Sequence, residues 1–125
     1  MQRISEILLK RRRKFHQARR IITDADSTAF VLVLTPERLP MAETAKARKL
    51  LEEHGVPIAA VIVNRVLPEE ADGHFLEERR EREREYLKDI AGITQGLTTK
   101  QVPLLTHDVS GLAQLRQIAE LLFSR

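Results

Sequence analysis

The sequence predicts an α/β domain: a three-layer sandwich in which a short parallel sheet of about three strands lies between flanking helices. Two observations carry this. Phe30–Leu34 and Ile58–Val63 are unbroken apolar runs without polar alternation, as strands covered on both faces require. Each apolar strand is also followed by a segment with helical spacing, and that alternation implies parallel strands joined by right-handed crossovers. Three strands make a narrow sheet, so an edge is expected to stay exposed unless another chain or segment covers it.

The elements follow in order. Ile4, Ile7, Leu8, Phe15, Ala18, Ile21 and Ile22 recur at helical spacing, with Lys10–Lys14, Arg19 and Arg20 mostly on the opposite face, so residues 1–22 read as a basic amphipathic helix. Thr23–Thr28 (TDADST) is dense in side chains that bond their own backbone, which stops the helix. FVLVL, Phe30–Leu34, is the first strand, and TPERLP breaks it. Met41–His54 is a helix with Gly55 placed as its C-terminal stop. Ile58–Val63 is the second strand. His74–Ile90 is helical, with opposite charges at i, i+4 such as Glu78 and Arg82; its middle turns are charged all round, and are expected to stand in solvent or against a partner. Gln101–Leu105 is the third strand, and Gly111–Phe123 a closing amphipathic helix.

The 125 residues fit one domain, 1–125. No apolar stretch approaches the ~20 residues of a membrane span, and basic residues from Lys10 onward break any signal-peptide core, so the expected address is cytoplasmic. The absence of cysteine excludes thiolate zinc sites and thiol nucleophiles, and the four histidines have no ligand-like spacing. The net charge of +3 is local in origin, because residues 1–22 hold eight Lys/Arg against one Glu. Any nucleic-acid argument therefore rests on that helix alone; with Phe15 as its one aromatic, a solvated basic face is the plainer reading, and nucleic acid is not expected as a partner.

Ligands of open α/β sheets gather at the carboxyl ends of the strands. The residues there are Thr35-Pro36-Glu37, Asn64-Arg65 and Thr106-His107-Asp108. Asn64 carries a donor and an acceptor on one planar amide, as the edge of adenine requires; it is equally a residue that ends strands because it tolerates turns. Glu37 reads either as a ligand carboxylate or as a charge complementing a helix N-terminus, and His107 as a loop residue. No glycine cluster approaches GxxxxGK[ST] or GxGxxG, so phosphoryl transfer by this chain alone is not expected. No catalytic constellation and no metal cage stands at a recognisable spacing.

Taken together, FVLVLTPERLPMAET, GVPIAAVIVNRVLPEE, EYLKDI and VPLLTHDVSGLAQL resemble the C-terminal part of the arsenite-pump-driving ATPase family, which includes the ATPases that deliver tail-anchored proteins to membranes. The resemblance runs from about Thr23 to the end. It implies the C-terminal part of a P-loop NTPase fold of the MinD-like class, with 23–125 as its adenine-binding portion and the phosphate loop in an N-terminal portion outside this sequence. It implies ATP or ADP with Mg²⁺ as cofactor of the whole protein, and no hydrolysis by this portion alone. It further implies that Asn64 hydrogen-bonds adenine, that Glu37 lies at the nucleoside, and that Pro103, Leu104, Leu105, Thr106, His107, Asp108, Val109 and Ser110 wrap the base. The implied partners are the N-terminal portion, a second copy, and a membrane pump or tail-anchored client of the whole protein. Two departures stand out: Asp108-Val109-Ser110-Gly111 lacks the family's arginine, and Gly73–Leu76 lacks the Cys-x-x-Cys pair that clamps eukaryotic members through zinc.

Overall fold

A computed structural model describes residues 2–124; Met1 and Arg125, at the ends of the expected 1–125 domain, lie outside the described residues. The elements are α1 (Gln2–Thr23), β1 (Phe30–Leu34), α2 (Arg38–Glu53), β2 (Ile58–Val66), α3 (His74–Ile93), β3 (Thr98–Pro103) and α4 (Gly111–Phe123). The strands form one parallel sheet in the order β1-β2-β3. Each crossover steps the chain in the same direction across the sheet, so α2 and α3 fall on one face, as a uniform handedness demands.

That face holds the core. Leu34 of β1 and Val61 and Val63 of β2 pack with Met41 of α2 and Ile90 of α3, and Leu32, Tyr86 and Leu87 close around them. Arg48 ties the two helices together: its guanidinium donates to the Ile93 carbonyl at 2.6 Å, where the end of α3 has unpaired carbonyls and a partial negative charge. Gly55 ends α2 as the sequence predicts. With φ at +69°, it lets its own N–H reach the Glu52 carbonyl (3.1 Å) and the Val56 N–H reach that of Leu51 (2.9 Å), the paired bonds of a Schellman stop.

The opposite face is covered by α4, which packs on β3 and brings Leu115, Ile118 and Leu122 toward Val33, Ile62 and Val102. Cover on that side is partial. Val31 and Val33 of β1 remain exposed, contrary to the expectation that this strand is sheathed on both faces. The helix α1 is exposed from Arg3 to Ile22 and ends in the predicted turn: Ser27 Oγ donates to Asp24 Oδ2 at 2.7 Å and Thr28 Oγ1 to the Ile21 carbonyl at 2.6 Å.

The middle of α3 is largely exposed, as expected, with two exceptions: Glu83 is buried and Arg80 half-buried against the β2–α3 connection. Both Glu83 carboxylate oxygens accept the Leu67 N–H at 3.1 Å. Arg80 donates to the carbonyls of Pro68, at 2.9 Å, and Ala71. Among the described residues the ion pair formed is Arg48–Glu52, not Glu78–Arg82.

Candidate functional site

The site begins where β2 loses its ladder. The β2–β3 register shifts between Val63 and Val66, and Arg65, in the gap, has φ at +61°, in the left-handed region where a non-glycine residue is disfavoured. Asn64 stabilises this turn by accepting the Arg65 N–H on Oδ1 at 2.9 Å. Beyond the bulge, the Val66 carbonyl accepts the Leu104 N–H at 2.7 Å, which fastens the exit of β3 to the exit of β2. The two readings of Asn64 are thus compatible: its oxygen serves the turn through one lone pair, leaving a second lone pair and both amide hydrogens for a ligand.

Two clefts flank this tip. One, of about 560 Å³, lies on the α4 side and is lined by Asn64, Arg65, Pro103, Leu104, Leu105, Thr106, His107, Asp108 and Val109, with Val33 and Ile62 as its floor and α4 behind. The other, of about 580 Å³, lies on the α3 side between the ends of β1 and β2, and is lined by Pro36, Glu37, Arg65, Leu67, Phe75, Arg79, Arg82, Glu83, Tyr86 and Leu104. Arg65 and Leu104 wall both. Each volume falls in the small-ligand range of roughly 300–1,000 Å³.

The predicted residues therefore divide. Asn64 and the loop from Pro103 to Val109 come together, whereas Glu37 belongs to the other cleft. Glu37 is the N-cap residue of α2 and forms no side-chain cap bond. Ser110 precedes α4, and its N–H is taken by the Gln114 side-chain oxygen. Within the loop, Thr106 Oγ1 and His107 Nδ1 are 3.0 Å apart. Sequence reasoning missed the row Phe75, Arg79, Arg82 and Tyr86, although its i, i+4, i+7, i+11 spacing marks one helix face. It also missed Glu83 and Arg80, which lie on the helical row of Leu76, Leu87 and Ile90 that faces the core.

Comparison with known proteins identifies the family. The profile of the anion-transporting ATPase family matches residues 1–124. This chain belongs to that family. A protein of Aquifex aeolicus (strain VF5), provisionally named arsenical pump-driving ATPase 2, is 33% identical over 117 residues, which cover 94% of this chain and 38% of that protein. The ATPase GET3C of Arabidopsis thaliana is 30% identical over 88% of this chain and 29% of its own length. The ATPase ASNA1 homolog of Trypanosoma cruzi (strain CL Brener) is 27% identical over 89% of this chain and 32% of its own. The chain spans roughly a third of these family members' lengths. The α/β architecture with a three-stranded, open parallel sheet is that of a partial P-loop NTPase fold. No helix among the described residues is long and apolar enough to cross a membrane.

Proposed function

We propose that this chain is the adenine-recognition part of an ATP site in an ATPase of the arsenite-pump or tail-anchored-protein-targeting kind. The observation that carries the reading is the meeting of Asn64 with the Pro103–Val109 loop in one cleft at the carboxyl ends of the strands. An amide there can donate to a ring nitrogen and accept from the exocyclic amino group, while Pro103, Leu104 and Leu105 offer apolar surface to the flat ring. Glu37 serves the nucleoside in this reading by accepting from a hydroxyl that reaches past Arg65.

The residues around Asn64 fit a base, and no residue set of this chain fits Mg²⁺. The chain has no glycine-rich phosphate loop, and among the described residues no three His, Cys, Asp or Glu side chains converge. The phosphate loop and the metal belong to another portion of the parent, so this chain does not hydrolyse ATP unaided. The same reading puts the protein in the cytoplasm, with that portion and a second copy as its partners; the pump or client is a partner of the whole protein.

Amide NMR of the full chain titrated with ATP tests the assignment, together with a longer chain containing a phosphate loop. Shifts at Asn64 and Leu104–Asp108 are expected, weak in this chain and strong in the longer one, with Asn64→Ala weakening binding about tenfold. If neither protein shows them, the reading falls.

A second reading rests on α1, which presents Lys10–Lys14, Arg19 and Arg20 from an exposed helix. Such a helix can hold an anionic surface or nucleic acid by counterion release, and a gel shift at low salt that disappears in a chain beginning at Thr23 is its test.

A further inference from the structure

We infer that the α3-side cleft is a binding site for a small molecule bearing a phosphoryl or similar tetrahedral oxyanion, held by Arg65, Arg79 and Arg82. Three arginines line this one cleft, and the guanidinium of none of them forms an ion pair or a hydrogen bond among the described residues. Two carboxylates share the space, but they are placed differently. Glu83 is buried with both oxygens turned to the Leu67 N–H, so it acts on the backbone of the connection. That leaves Glu37, on the opposite wall, as the acid facing the arginines. Positive charge is in excess at the cleft.

The arginines are set there by three local features. Helical spacing carries Arg79 and Arg82 on one row of α3, between Phe75 and Tyr86. The left-handed backbone at Arg65 interrupts the β2–β3 register and sets Arg65 in the wall that both clefts share. The Arg80 and Glu83 bonds to residues 67–71 then fix how far α3 stands from that wall. Planar guanidinium forks match the oxygens of a tetrahedral oxyanion in pairs, which a lysine cannot do. At about 580 Å³ the cleft suits a small molecule, and the rings of Phe75 and Tyr86 give an apolar part of that molecule something to lie against.

This site does not depend on the adenine assignment. Its phosphoryl group could belong to a nucleotide whose base sits in the α4-side cleft, or to a separate phosphorylated molecule. The experiment is amide NMR of the full chain titrated with pyrophosphate, with sodium chloride at matched ionic strength, and with ATP. Pyrophosphate is expected to move Arg65, Leu67 and Phe75–Tyr86 while chloride does not. In the double variant Arg79→Gln, Arg82→Gln, both positions being exposed, affinity should fall at least about tenfold with the remaining spectrum unchanged. ATP moving both clefts, with only the α3-side response lost in the variant, assigns the phosphoryl group to a nucleotide. A pyrophosphate response that adds to an unchanged ATP response at Asn64 assigns it to a second ligand. The inference is overturned if pyrophosphate acts on the basic helix α1 and leaves α3 unmoved, if chloride does the same as pyrophosphate, or if the variant responds like the parent. Silence at Asn64 on adding ATP, in this chain and in the longer one alike, would sink the adenine reading and leave this one standing.

Discussion

The two faces of the sheet are built from the same kinds of residue and meet different fates. On the α2–α3 side, Leu34 is 4% exposed and Val61 fully buried; on the α4 side, Val31 and Val33 of the same β1 strand are 45% and 61% exposed. The difference lies in the cover, because α4 packs on β3 and stands across an open cleft from Val33 of β1. An apolar strand face left open beside a free sheet edge is a surface prepared for more polypeptide. The contrast teaches that apolar residues in a strand record how the strand is meant to be covered, while this chain supplies the cover on one side.

The largest effect expected from this contrast is at Ile90. Ile90→Ala should cost about 2–5 kcal/mol in urea unfolding, because it empties a fully enclosed site between α3 and the sheet. Val33→Ala on the open face should stay within about 0.5 kcal/mol. Equal costs would erase the distinction between the faces. Next comes Glu83→Gln, which replaces a carboxylate that accepts on both oxygens by an amide that can accept on only one. A loss of about 1–3 kcal/mol is expected, with faster hydrogen exchange at Leu67; unchanged exchange would mean that the helix does not hold the connection.

Association should respond in the opposite sense. Val31→Thr with Val33→Thr is expected to leave stability nearly unchanged while reducing any self-association seen by light scattering across a dilution series. The smallest effect is at Asp24, whose carboxyl is held below its ordinary value by the Ser27 hydroxyl and then by the Asp26 N–H, against a weaker opposing effect of burial. A carboxyl lowered in the folded state stabilises above its unfolded value and loses that contribution as pH falls through the folded one. The Asp26 and Ser27 amides should therefore shift only below the ordinary carboxylate range, and Asp24→Asn should abolish the shift.

Much of this was legible in the sequence. The alternation of strands and helices gave the element order, and Gly55 marked the end of α2 because only a left-handed residue closes that stop. The strand-end rule brought Asn64 and the Pro103 loop to attention together. The third strand was read as Gln101–Leu105, yet it runs Thr98–Pro103, because pairing with β2 rather than hydrophobicity defines an edge strand. Leu104 leaves the strand to bond Val66. Glu37 separated from Asn64 because the end of a strand is legible in a sequence and the side of the sheet it serves is not. The inward turn of Arg80 and Glu83 was marked by their place on the row of Leu76, Leu87 and Ile90, but a charge on an apolar row does not say which backbone N–H or carbonyl will satisfy it.

Arg65 and Leu104 form a party wall between two compartments. A molecule settling on one side must lean on the same two residues that a molecule on the other side would use. Whatever factor the first occupant imposes on the second, in either direction, the second must return in full, since the cycle of four states closes. The bulge at the end of β2 thus sets the two clefts side by side, with Arg65 common to both.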